Sequence, residues 1–253
     1  MTQGLLKMPS LREAEPKMER WPDMDPKDLA SAQPVQRGIN VFDSPDGKLS
    51  VGIWACTPMV TTMAPYSVDE FMLVLKGSTT ILHEDGTRAN FRAGEAFVIA
   101  KGTHCVWEQS EDIVKYYVIL ADPEAAPAPD AARGHAIRLS PASAKMSALT
   151  HDDPNFFEGS PPEQAARKDF VNVSGRMTAG LWTTAPMRRR ARKAAATELM
   201  CILEGTGTLS DGKAKLDFKA GESLLVTQGA PNALACTAPV KKFYCTYEAA
   251  NAG

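Results

Sequence analysis

Residues 70–77, EFMLVLKG, and residues 198–205, ELMCILEG, decide the fold. In each, a glutamate opens a run of β-branched and long apolar residues, joined in the first by the aromatic Phe71, and a glycine closes it. Such a run, bounded by a turn residue, predicts a buried β-strand that ends in a tight bend. The two runs lie 128 positions apart, and the match extends outward from both. Upstream, Phe42 repeats as Phe170, and Gly52-Ile53-Trp54 with Pro58-Met59 repeats as Gly180-Leu181-Trp182 with Pro186-Met187. Downstream one residue is lost. Ala93-Gly94-Glu95 then matches Ala220-Gly221-Glu222, and Lys115 and Tyr117 match Lys242 and Tyr244. Matches this numerous in one register, broken by a single gap at a turn, mean internal duplication.

The rest of each copy is short strands divided by turn signals, SPDGK at 44–48, HEDGT at 83–87 and SDGK at 210–213. That spacing predicts an all-β fold of the sandwich or barrel type. The expected division is residues 1–126, an arm plus a barrel at about 38–121, and residues 127–253, a linker, an arm and a barrel at about 166–248. The Ala/Pro-rich stretch at 121–134 reads as a semi-extended linker. The arms, 1–37 and about 133–165, carry no helix pattern beyond a short turn in LREAEPKMER. Because they share the repeat they are expected to dock, with the other module as one candidate surface.

Composition narrows the function classes. A net charge of −2 supplies no general field for nucleic acid or an anionic membrane. No apolar run approaches the roughly 20 residues of a membrane span, and the opening MTQGLLKMPS has no signal-peptide core, so a cytoplasmic protein is expected. Cysteines at 56, 105, 201, 236 and 245 form no CxxC pair and read as reduced thiols.

The spacing from Glu70 to Gly77 and from Gly94 to Gly102, repeated from Glu198 to Gly205 and from Gly221 to Gly229, is the skeleton of the two cupin motifs. The chain therefore resembles a bicupin: two tandem cupin barrels (double-stranded β-helix, or jelly-roll) related by internal duplication. Trp54, Pro58, Tyr66, Asp69, Glu70, Phe71, Trp107, Lys115, Tyr116 and Tyr117 further resemble the cupin subfamily named after ureidoglycine aminohydrolase and the ethanolamine-utilization cupins. Copy two keeps Trp182, Pro186, Glu198, Lys242 and Tyr244, but has Ala194 and Leu234 in place of Tyr66 and Trp107. In metal-binding cupins an HxH pair precedes the glutamate and a third histidine lies in the second motif. At those positions this chain has Ala64 and Tyr66 or Met63 and Pro65, then Arg192 and Ala194 or Ala191 and Lys193, with Cys105 and Asn232 at the third site. The resemblance thus implies the fold, and the missing donors predict neither metal nor other cofactor.

If Glu70 points into the barrel, strand alternation turns Met72 and Val74 inward with it. A carboxylate among apolar walls must be paired, hydrogen-bonded or protonated. One reading makes Glu70 a general acid/base or a ligand anchor, with Tyr66 or Tyr116 polarising the substrate. The other makes it a structural acid held by Tyr66, Lys115 or Tyr116. Tyr66, Met72, Cys105, Trp107 and Tyr116 either line a pocket or fill a core. Glu198, Arg192 and Asn232 are the copy-two candidates. The run Arg188-Arg189-Arg190-Ala191-Arg192-Lys193 is either a charged sheet edge or an anion-binding mouth. His104 is expected at a rim and His83 in a turn, with His135 and His151 in the linker and arm.

The expectation drawn together is metal-independent binding of a small polar or anionic metabolite, in a copy-one pocket around Glu70. Two alternatives stay open. One is a hydrolase, lyase or isomerase acting on a small ureido, amino or sugar acid, and the other is an interaction module with filled barrels. The partner expected is a small-molecule ligand, not nucleic acid or membrane, with room for a homodimer.

Overall fold

The computed structural model describes residues 4–123, 134–150 and 153–249, so most of the expected linker, and His151, lie outside the described residues. The chain forms two compact units, each built around one copy of the repeat.

In the first unit an antiparallel seven-stranded sheet runs in the order Ile137–Leu139, Ala96–Ile99, Asp69–Lys76, Ile113–Leu120, Leu49–Cys56, Gln36–Asp43, Glu19–Arg20. A five-stranded sheet is made by Met59–Val60, His104–Gln109, Ser78–His83 and Arg88–Arg92, with Ala64–Pro65 also on His104–Gln109. Trp54, Met72, Phe97 and Ile113 of the larger sheet share one core with Met59, Ile81, Phe91 and Trp107 of the smaller. The central strands Asp69–Lys76 and Ile113–Leu120 are buried on both faces, which is why they read as continuous apolar runs. Arg88–Arg92 buries only its Phe91 and alternates accordingly.

The second unit repeats this arrangement. Its seven-stranded sheet has the order Leu5–Lys7, Ser223–Val226, Thr197–Glu204, Val240–Tyr247, Met177–Thr184, Gln164–Val171, Ser147–Ala148. The facing sheet is Met187–Lys193, Pro231–Cys236, Thr206–Ser210, Lys215–Lys219. The glycines that close the two opening runs are sterically required. Gly77 (φ +76°) would place a Cβ 2.2 Å from the Asp112 carbonyl oxygen, and Gly205 (φ +88°) would place one 2.2 Å from that of Pro239.

The units depart from a division at 126/127 in their edge strands. Ile137–Leu139 pairs with Ala96–Val98 and belongs to the first unit, whereas Leu5–Lys7 pairs with Leu224–Val226 and belongs to the second. Each three-residue strand covers the open hydrogen-bonding edge of a short, fully buried strand. The first arm also holds one short helix, Leu11–Ala14, begun where the Ser10 N–H donates to Glu13 Oε2 at 2.8 Å. His83 is the buried last residue of a strand rather than a turn residue. No helix of the described residues is long and apolar enough to cross a membrane.

Candidate functional site

In the first unit the Glu70 carboxylate is fully engaged. Its Oε1 lies 2.8 Å from Lys115 Nζ, and its Oε2 accepts from the Tyr66 hydroxyl. The same ammonium donates to Met72 Sδ at 3.0 Å and sits 4.8 Å and 4.7 Å from the ring centroids of Trp54 and Trp107. Lys115 pairs with Trp54 on one side and Val74 on the other, so it shares their sheet face and enters this aromatic box, while a register shift leaves Leu75 of the neighbouring strand unpaired. Trp107 is fixed by an Nε1–H bond to Gln109 Oε1 (2.7 Å), and Gln109 donates in turn to the carbonyls of Cys56 and Thr57. Glu70 and Lys115 are 4% and 5% exposed, so the group is closed around its own charges. Burial first, and then the adjacent Glu70 charge, push the Tyr66 phenol up.

Cys105 packs in the same core, and burial pushes its thiol up to about 11, so it is no thiolate nucleophile at neutral pH. His104 points the other way, half-exposed and 3.5 Å from Glu84. Tyr116 also leaves the group. Strand alternation turns it opposite to Lys115 and Tyr117, and its hydroxyl donates to the Pro9 carbonyl at 2.7 Å. The first barrel therefore brings Glu70, Tyr66, Met72, Cys105 and Trp107 together, with each Glu70 oxygen held by a side chain of the same barrel.

The second unit holds an open site, a cavity of about 780 Å³. Trp182, Glu198, Met200 and Lys242 repeat the pattern of Trp54, Glu70, Met72 and Lys115, and all four line it. Lys242 Nζ lies 2.5 Å from Glu198 Oε1 and 4.8 Å from the Trp182 ring centroid. Ala194 and Leu234, which replace Tyr66 and Trp107, also face the cavity, so smaller side chains stand where the first barrel is filled. Glu198 consequently has no phenol on its second oxygen. Its side chain is 27% exposed, against 5% for Glu70. Burial, and then the Glu198 charge, push the Tyr244 phenol at the cavity wall up to about 12.

Two arginines reach the same space by an irregularity of Met187–Lys193. Met187 pairs with Cys236 and Arg189 with Leu234, but Arg192, not Ala191, pairs with Asn232. The one-residue bulge puts Arg189 and Arg192, three apart, in the inward row. Both line the cavity, with their guanidinium carbons 5.5 Å and 4.6 Å from the Phe156 ring centroid. Asn232 braces them: its Oδ1 accepts from Arg189 Nη2, and its Nδ2 donates to the Arg192 carbonyl at 3.3 Å. Arg189 Nε is buried without a partner. Burial, and then the neighbouring Arg192 charge, lower the Arg189 guanidinium to about 10.

The predicted copy-two residues Glu198, Arg192 and Asn232 thus meet at one cavity. The sequence marks Arg189 only as a member of the run 188–193, and Phe156 not at all. Strict alternation from Arg192 would turn Arg188 and Arg190 inward, and nothing in the arm's local pattern marks Phe156.

The donor set does not fit a cupin-type metal in either copy. Glu70 is taken by an ammonium and a phenol, while the positions beside Glu198 carry Arg192 and an amide. Among the described residues no group of three or more His, Cys, Asp or Glu could hold a metal ion.

The family described as the EutQ-like cupin domain matches the chain twice, over residues 43–117 and 171–244. A protein of unknown function from Pseudomonas syringae pv. tomato, assigned to the DUF861 family, has a similar structure. It shows 20% identity and a TM-score of 0.78, covering 97% of this chain and 100% of that one. Protein Ylba from E. coli superposes with a TM-score of 0.56 at 10% identity, over 98% of this chain and 92% of its own. A cupin 2 conserved barrel domain protein from Leptotrichia buccalis gives 0.53 at 14% identity, over 92% of this chain and 99% of its own. At such identities the likeness speaks for the fold. No curated protein matches the sequence.

Proposed function

Because the chain belongs to the family of EutQ-like cupin domains and carries that domain twice, we propose that it binds a small polar or anionic metabolite, and that the second barrel does the binding. The observation that carries this reading is the contrast between equivalent positions. Tyr66 and Trp107 close the first barrel around Lys115, while Ala194 and Leu234 leave about 780 Å³ beside Glu198, Lys242 and the arginines. A concave space with apolar walls and a few convergent polar groups is the usual form of a small-molecule site. The ligand is held without a metal, by ion pairing and hydrogen bonds from Arg189, Arg192 and Glu198, with Asn232 bracing the arginines. Five free, buried cysteines support a reducing, cytoplasmic setting. If the protein is instead an enzyme, the acid/base candidate facing open space is Glu198, paired with Lys242, and no longer Glu70.

Native mass spectrometry of the purified chain tests the assignment. A small molecule retained by the wild type should be lost from Ala194→Trp, which fills the cavity, and kept by Ala64→Val at the first barrel's exposed Ala64–Pro65 strand. An adduct that survives Ala194→Trp would place binding elsewhere. Absence of any adduct, with no member of a metabolite library raising the Tm, would overturn the reading.

A further inference from the structure

The two arginines of the second barrel form an arrangement that the first barrel lacks. Met59–Val60 and Ala64–Pro65 are separate short strands there, and copy one has no arginine between Met59 and Glu70. In the second unit one continuous strand, Met187–Lys193, carries the bulge that brings Arg189 and Arg192 to the same face. Without that extra residue, positions three apart would point to opposite faces. Bulges of this kind re-aim side chains, and this one re-aims a cation into a cavity.

The partners of the two guanidiniums among the described residues are neutral. Arg189 donates to the carbonyl (3.3 Å) and the side-chain oxygen of Asn232, and both arginines lie against the Phe156 ring. Lys242, by contrast, is neutralised by Glu198. Two like charges side by side, Arg189 half-buried with its Nε–H donor unpaired and Arg192 exposed at the cavity, are unfavourable on their own. An arriving anion cancels the repulsion and compensates for the lost hydration with ion pairing and hydrogen bonds. Each guanidinium presents a planar fork that matches a carboxylate.

The remaining walls decide what is attached to that anion. Met187, Met200, Leu209 and Leu234 are apolar. Asp153 also lines the cavity and opposes a second negative charge. We propose that Arg189 and Arg192 are a clamp for the carboxylate of a monocarboxylic acid whose apolar body lies against the Met187, Met200 and Leu234 side of the cavity. Asn232 acts as the positioning residue that holds both arginines in register. This assignment rests on the second barrel being the binding barrel, and it adds the chemical class of the ligand.

Isothermal titration on the full chain tests it with acetate, hexanoate, benzoate and phenylacetate, each against its neutral amide, and with inorganic phosphate. Hexanoate, benzoate or phenylacetate should bind, acetate should bind more weakly, and the amides should be weaker by about tenfold or more. Arg189→Gln and Arg192→Gln should each weaken acid binding by a similar factor. Arg188→Gln, which removes the same charge from the outward face, should leave affinity within about twofold. Far-ultraviolet circular dichroism and Tm of each variant separate loss of the clamp from loss of the fold. Amides that match their acids would overturn the clamp, as would phosphate binding that the acids do not displace. Failure of every acid to bind would overturn it too. A retained metabolite lost from Ala194→Trp would still stand in any of those cases, so the failure of the clamp and that of the binding barrel are distinguishable.

Discussion

Lys115 and Lys242 hold the same place in the two copies, yet their surroundings give them different work. Lys115 is enclosed by Glu70, Met72, Trp54 and Trp107, whereas Lys242 keeps its glutamate and one tryptophan but faces a cavity. Removing one partner of an enclosed ion pair leaves an uncompensated charge, at about 3–5 kcal/mol. Lys115→Met should therefore lower the stability of the protein in urea by about that amount, and adding Glu70→Leu should recover most of it. Lys242→Met should cost less, because Glu198 can turn to solvent. Equal losses at the two sites would contradict the distinction between a closed and an open barrel. The glutamates and lysines were readable from the repeat itself. That Glu70 is sealed was not readable, since sequence shows which residues share a strand face but not whether the space between the sheets is filled. Arg189 was hidden for a similar reason, because a bulge changes the inward row without a mark in local composition.

At the scale of elements, the strand Ile137–Leu139 hangs on a histidine. The Ala136 N–H donates to His83 Nε2 at 2.8 Å, while His83 Nδ1 faces the Thr87 carbonyl at 3.1 Å. These partners fix the neutral Nδ1–H tautomer. Protonating Nε2 would set two N–H groups against each other. Burial is the main reason the His83 imidazole is held below its usual 6.5; His135, edge-on at 4.6 Å, adds to the effect, and Thr87 and Asp85 oppose it. Because the folded state binds the proton less readily than the unfolded chain, this contribution is complete above about pH 6.5. It is lost as pH falls toward the folded value. Hydrogen exchange should therefore show Ala136 and the edge strand losing protection between pH 7.5 and 5.5, more than Leu5–Lys7 does in the other unit. A His83→Asn variant should lose this pH dependence, and identical profiles for the two edge strands would refute the role of His83. The central strands were plain in the sequence because burial on both faces leaves a long apolar run. Edge strands of three residues carry no such signal. Which sheet they join is set by an open edge distant in sequence.

For the molecule as a whole, duplication supplied two barrels from one pattern, and a few substitutions set their fates apart. Large side chains at Tyr66 and Trp107 accompany a barrel filled by its own lysine. Small ones at Ala194 and Leu234, with the bulged arginine strand, accompany a cavity. A symmetric bicupin would bind two ligands per chain; this one is expected to bind one. Titrating the tightest-binding carboxylate into the full chain should give a stoichiometry of about one, and Ala194→Trp should reduce it to none. Filling one barrel cannot remove binding from another, so a residual site in Ala194→Trp would mean that the Lys115 box opens in solution. That result would return Glu70 to the list of ligand-binding residues. The opposite result separates the roles of the two copies: the copy whose charges are paired internally serves as scaffold, and the copy whose cavity arginines lack a carboxylate partner among the described residues holds the ligand.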